Sequence, residues 1–143
     1  MDHPAIAAFD PSDCVSSQLM RLERIVAKRY RKHLAEYGLT NSQLSMMLMV
    51  STSGPMKRTE LARAMVLERS SVSRNLNRLV ATGVVHVSIS GKVFVTSQGS
   101  ALLERLMPAW ALAMREMYDV LGMEGRAALT VLASTLTTAD RDP

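Results

Sequence analysis

A chain of 143 residues holds one domain, or one small module with long helical extensions. Hydrophobic residues make up 48% of it, enough for a core, and the chain has no apolar run of the ~18 residues that a membrane span needs. The formal charge is +4, and the single cysteine, Cys14, cannot build a disulfide framework or a zinc site alone.

The N-terminus, MDHPAIAAFDPSD, lacks the positive start and apolar stretch of a signal peptide, so a soluble cytoplasmic protein is expected. Charge is unevenly spread. Residues 21–33 hold six cations against Glu23, and residues 57–78 hold six against Glu60 and Glu68. Residues 100–143 reverse the balance, with four arginines against six acids. A basic middle of this kind faces either water or a polyanion.

Residues 1–13 carry two prolines and no periodicity, and read as a loose arm. From Val15 the apolar positions run Val15, Leu19, Leu22, Val26, Tyr30, His33 or Leu34, and Tyr37. Steps of three and four predict a long amphipathic helix over 14–37, stopped by Gly38. Thr40 and Ser42 are cap candidates for a second helix with the Met-rich body QLSMMLMV, broken at Ser53-Gly54-Pro55. RTELARAM predicts a short helix, VLER a turn of three or four residues, and the stretch LERSSVSRNLNRLVATGVV at 67–85 a further helix ended by Gly83.

Val85, Val87 and Ile89 then alternate with His86 and Ser88. A Ser90-Gly91-Lys92 turn and Val93 and Val95 complete an expected β-hairpin. Beyond it, Leu103, Met107, Trp110, Met114, Met117 and Leu121 form a helix-packing seam, in which Pro108 should kink or break the helix. A last helix carries Leu129, Leu132 and Leu136 after Gly122 and Gly125.

Two short helices joined by a tight turn and followed by a hairpin make a winged helix-turn-helix. The expected fold is mainly α with a short β-hairpin wing. A winged helix-turn-helix module at 38–96 is flanked by dimerisation helices at 14–37 and 97–138, with a tail at 139–143. The end segments carry apolar seams that the small central module cannot cover, which points to a homodimer.

Projected at ~100° per residue, Val72, Leu76, Leu79 and Val80 define the buried side of the second short helix. Ser70, Ser71, Arg74, Arg78 and Ala81 face away, with Asn77 on the flank. A helix built only for solubility would carry Glu and Lys there, yet no acid stands between Arg69 and Gly83. Small hydroxyls permit close approach to DNA, arginine can fork onto guanine and asparagine can pair with adenine. Ser70, Ser71, Arg74, Asn77 and Arg78 are the candidate major-groove residues, and Lys57, Arg58, Arg69 and Lys92 the candidate phosphate contacts.

The chain resembles the MarR family of bacterial transcriptional regulators. The resemblance rests on ELARAMVLERSSVSRNLNRLVATGVV followed by VTSQGSALL, and on GLTNSQLSMML at 38–48. Its marks are Glu60-Leu61-Ala62, Val72-Ser73-Arg74, Arg78-Leu79, Gly83, and Thr96 with Gly99; it covers about residues 14–138. It implies a homodimeric DNA-binding repressor, or sometimes an activator, often released by a small molecule or an oxidant. Dimerisation would use the N-terminal and the two C-terminal helices. Two-fold symmetry then predicts a pseudo-palindromic operator with half-sites about one turn, ~10 bp, apart. The family's wing usually has a longer loop with an arginine for the minor groove; here Lys92 is the only basic residue at the tip.

Other constellations carry two readings each. Cys14 is an inert thiol or, as in the family's peroxide-sensing branch, a redox sensor near a helix N-terminus. Tyr30 falls where that branch has a tyrosine, but Cys14 lies about two residues early and Asn41 replaces a second tyrosine. Met46, Met47, Met49, Met107, Met114 and Met117 with Trp110 are plain core or the lining of a pocket for an apolar effector. Arg29 and His33 are solvated or greet an aromatic anion near the dimer junction. The histidines lack metal-ligand spacing, and no phosphate loop or nucleophile elbow is present, so neither enzyme activity nor a cofactor is expected. Two alternatives to a ligand-released repressor remain open: a peroxide-responsive regulator, and an interaction dimer that has lost its operator.

Overall fold

The computed structural model describes residues 10–140. A single 3-10 turn, Pro11–Asp13, leads into α1 (Val15–Leu34), and a second, Ala35–Tyr37, closes it. There follow α2 (Asn41–Ser53), β1 (Met56–Lys57), α3 (Arg58–Ala64), α4 (Arg69–Ala81), β2 (Val85–Val87), β3 (Lys92–Val95) and α5 (Ser97–Ala139). The strands form an antiparallel sheet in the order β1-β3-β2, with Met56 opposite Val93 and Val85 opposite Val95.

Local chemistry sets most boundaries. Gly38 takes the left-handed conformation (φ 69°) after the second 3-10 turn. Thr40 caps α2 through a capping box: its Oγ1 accepts from the Gln43 N–H at 3.2 Å, and Gln43 Oε1 accepts from the Thr40 N–H at 3.0 Å. Gln43 is thereby buried with its polarity in use.

The core lies where α2, α3, α4 and the start of α5 meet β3. Leu44, Met46, Met47, Leu61, Val72, Leu76, Leu79, Val93 and Leu106 are all almost wholly buried. Of the two readings for the methionines, Met46 and Met47 take the core one. Leu34 anchors the end of α1 in the same cluster, and α1 otherwise lies mainly along α5.

Four local features depart from or add to the expectations. Val80 is 40% exposed. It stands about 80° around the helix from Val72, at the edge of a stripe that Leu76 and Leu79 already fill. The short strand β1 lacks enough residues to show alternation, and forms because β3 offers it an edge. Ile89 belongs to the turn, since β2 ends at Val87.

The fourth is Pro108, which sits inside α5 without a break. Its missing N–H would have bonded the carbonyl of Glu104, and both residues are exposed, so water can satisfy that carbonyl. The break falls at Gly122, ahead of the expected last helix: its φ 61° and ψ −172° interrupt α5 and divide it into 97–121 and 123–139. Arg126 stacks across this break over the ring of Tyr118, at 4.1 Å from its centroid.

Candidate nucleic-acid interface

α4 buries Val72, Leu76 and Leu79 and turns Ser70, Arg74, Asn77, Arg78 and Ala81 outward; Ser71 is half-buried beside them. Glu68 at its N-cap makes no side-chain hydrogen bond, so the first-turn N–H groups of this helix stay available to an anion. Arg74 is partly pre-set: its Nη2 donates to Ser71 Oγ at 3.3 Å. Asn75 is spent inside the helix, donating through Nδ2 to the Ser71 carbonyl at 3.0 Å.

Among the described residues no acid lies within ion-pair distance of Lys57, Arg58, Arg69, Arg74, Arg78 or Lys92. Glu60, the nearest acid in sequence to Lys57, accepts instead from the Lys57 backbone N–H at 2.7 Å. Uncompensated cations on one side of a helix-turn-helix are what a phosphate backbone neutralises. Lys57 and Lys92 are paired directly across β1 and β3, so two cations stand side by side at the tip end of β3.

The reading helix is held at both ends by backbone geometry. At its entry, Val66 in the turn has φ 52°, a strained value for a β-branched residue, and is 80% exposed. At its exit, Gly83 (φ 76°) is the left-handed residue after the helix, and the Val84 N–H returns to the Leu79 carbonyl at 3.2 Å.

The start of α5 then grips that exit. Thr96 Oγ1 donates to the Gly83 carbonyl at 2.7 Å, and Gln98 Nε2 to the Thr82 carbonyl at 3.3 Å. The Thr96 N–H donates to the Val84 carbonyl at 3.1 Å, and the Gly99 N–H to Thr96 Oγ1 at 3.0 Å. A Cβ on Gly99 would stand 2.1 Å from the Val84 oxygen, so only glycine permits this approach. Gln98 went unnoticed in the sequence because a clamp between neighbouring elements leaves no periodic signal.

The candidate effector residues are scattered. Tyr30 lines a cavity of about 460 Å³ between α1 and the start of α2, with Ala27, Arg31, Leu34, Leu39 and Asn41. Arg29, His33, Met46 and Trp110 do not line it. Burial raises the pKa of the Tyr30 phenol, with a smaller push from Tyr118. His33 Nε2 lies 2.8 Å from Glu116 Oε2, tying α1 to α5. That hydrogen bond, assisted by nearby Lys32 and Arg29, holds the Glu116 carboxyl below its usual range. The pair is 83 residues apart in sequence, so helical spacing could not reveal it. Cys14 is the N-cap of α1, and hydrogen bonding to Ser17 lowers its thiol pKa.

An exposed, acid-free second helix, a three-stranded wing and unpaired cations beside both define a DNA-binding winged helix-turn-helix. The MarR family model matches residues 37–92, so this segment is similar to that family. An uncharacterized HTH-type transcriptional regulator of Bacillus cereus is 29% identical over 105 residues, covering 71% of each chain. The M. tuberculosis transcriptional regulator MosR superposes with a TM-score of 0.80 at 25% identity, over 92% of this chain and 99% of MosR. The transcriptional repressor CouR, solved with p-coumaroyl-CoA bound, has the same fold: TM-score 0.78, 24% identity, 92% of this chain and 95% of CouR. Among the described residues no helix is long and apolar enough to cross a membrane.

Proposed function

We propose that this regulator is a homodimeric repressor that binds a pseudo-palindromic operator through α4 and leaves it when a small molecule binds. The observation that carries the reading is the outward face of α4, which has no acid from Arg69 onward, with its N-terminal amides uncapped. Ser70, Ser71, Arg74, Asn77 and Arg78 read or position the major groove. Lys57, Arg58, Arg69 and Lys92 hold phosphates.

Bare apolar faces support the dimer. Val15, Leu22 and Ile25 on α1 and Leu129, Val131 and Leu136 in 123–139 are all exposed in the single chain. A second copy covers such seams, and the symmetry sets two half-sites about one turn apart, ~10 bp. The cavity beside Tyr30 has room for an aromatic or apolar effector. CouR, a repressor solved with p-coumaroyl-CoA, supports an effector with an aromatic group.

The test is fluorescence anisotropy on the intergenic duplex beside the protein's own gene, against a scrambled duplex, at two salt concentrations. A preference of about a hundredfold or more supports operator recognition. Equal, strongly salt-dependent binding to both contradicts it and favours an interaction dimer. Sedimentation of the same sample reports the oligomeric state.

The lowered thiol pKa of Cys14 favours one second reading, in which peroxide rather than a ligand releases DNA. Peroxide-driven release that persists in Cys14→Ser eliminates it.

A further inference from the structure

α1 carries a charge pattern that neither the core nor the α4 face uses. The helix turns Leu19, Val26, Tyr30 and Leu34 toward the protein, and the exposed Val15 and Leu22 stand beside them. Projected at ~100° per residue, Arg21, Arg24, Lys28, Arg31 and Lys32 fall on the opposite side, within an arc of about 100°. They span about three turns, roughly 17 Å of helix axis. All five are exposed, and Glu23, the one acid of α1, lies outside the arc. Among the described residues no acid comes within ion-pair distance of them. Lys32, at one edge, feels Glu116 only at longer range.

Such a stripe works against the helix that bears it. Arg24 with Lys28, and Lys28 with Lys32, are like charges four residues apart, which repel and weaken a helix. A face built for solubility intersperses acids with its bases, which removes that repulsion. Five cations without an acid suit a row of phosphates instead. The fold also places the stripe. Two cavities share Gly38, Leu39 and Thr40 as a common wall. Arg31 of α1 lies on one side of that wall, and Arg78, near the end of α4, lies on the other. The stripe therefore starts beside the reading helix and continues its basic surface onto α1. A lipid surface would need the apolar side of an amphipathic helix to enter it, and α1 commits that side to the protein. A duplex needs only the cations, since it offers one phosphate charge per ~1.7 Å of axis.

We propose that the outer face of α1 is a second DNA surface, continuous with the α4 face, which takes the phosphates of the duplex flanking the half-site without reading bases. It adds affinity and salt dependence that grow with duplex length, while α4 sets the sequence. This inference rests on the DNA-binding reading of α4.

The test enriches a site from a random-sequence pool with the wild-type protein. A duplex of the enriched site alone is then compared with one extended on one side by about two helical turns (~20 bp) of scrambled sequence. The variant is Arg21→Gln/Arg24→Gln/Lys28→Gln, which spares Arg31 because it lines the cavity beside Tyr30. With the like-charge repulsion removed, it should melt at or above the wild-type temperature. Each phosphate contact adds ~0.9 to the salt slope, so the wild-type slope on the longer duplex should exceed the variant's by about 2.7. The variant's loss of affinity for that duplex should accordingly shrink roughly fortyfold between about 50 and 200 mM salt. On the short duplex the two proteins should share one affinity and one slope. Equal wild-type slopes on the two duplexes would overturn the proposal, as would a variant that keeps the whole gain with length. Wild-type binding to anionic lipid vesicles in place of the flank, lost in the variant, would give the stripe to a membrane and overturn it too. A pool that yields no enriched sequence removes the α4 reading as well. Enrichment with no effect of duplex length removes only the α1 surface.

Discussion

Replacing Gly99 with alanine tests the joint between the reading helix and α5. The new Cβ would stand 2.1 Å from the Val84 oxygen, 2.8 Å from Val95 Cγ1 and 3.0 Å from the Val84 carbonyl carbon. Ordinary contact begins near 3.4 Å, so the start of α5 must retreat by more than 1 Å. Backbone cannot swing aside as a flexible side chain can, and the retreat also stretches the bond from the Thr96 N–H to the Val84 carbonyl. Overpacking costs about 1–3 kcal/mol, and a weakened buried hydrogen bond about 1 kcal/mol more. Alanine returns up to about 1 kcal/mol of helix propensity, less in a first turn. The balance is a loss of about 2–3 kcal/mol, or roughly 5–10 °C in Tm for a chain of this size.

Thermal melts by circular dichroism measure it, with Gly125→Ala as control. A Cβ at Gly125 meets only side-chain atoms of Leu121, the nearest at 3.2 Å, so that variant should melt at or slightly above the wild type. If Gly99→Ala melts within a degree of the wild type, the close approach is not what holds α5 in place.

Val66→Gly should stabilise the protein by about 1 kcal/mol, as relief of the strained φ exceeds the extra entropy of the unfolded chain; a lower melting temperature would contradict that. Glu116 has a lowered pKa in the fold, so its unfolded carboxyl binds more protons. The stability it contributes is present above the ordinary carboxylate value of 4.5 and is lost as pH falls through the lowered one. The difference in Tm between wild type and Glu116→Gln should therefore shrink in acid below that value, and a constant difference would refute the linkage. Arg74→Ala should weaken operator binding by about 1–3 kcal/mol and relax one base position; an equal loss on all sequences would make Arg74 a phosphate contact. Lys92→Ala should lower the salt slope by about one, whatever the sequence, and an unchanged slope would take Lys92 off the backbone.

What could be read from the sequence was what local chemistry decides. Thr40 with Gln43, Thr96 with Gly99 and the glycine at 83 each fix an element end within a few residues, so those ends stand where expected. The outward face of α4 was legible for the same reason, since helical projection needs only thirteen residues. The rest depends on partners elsewhere in the chain. β1 exists because β3 is beside it. Glu116 is engaged because α1 brings His33 to it. Pro108 and Gly122 competed to break α5, and exposure at Pro108 let the helix continue. Ile89 continued a strand alternation on paper, but Gly91 turned the chain first.

The uninterrupted stretch of α5 through Pro108 separates two properties of an operator. Residues 97–121 rise roughly 37 Å as one continuous helix, clamped at one end to the reading helix and, in the proposed dimer, joined at the other to the second copy. The bases recognised are then a property of α4, while the distance between half-sites is a property of α5. One residue inserted into that stretch would turn the reading helix by about 100° and move it about 1.5 Å, altering the spacing while every base-contacting side chain stays the same. Relatives that share α4 but differ in this helix would recognise the same half-site at different separations.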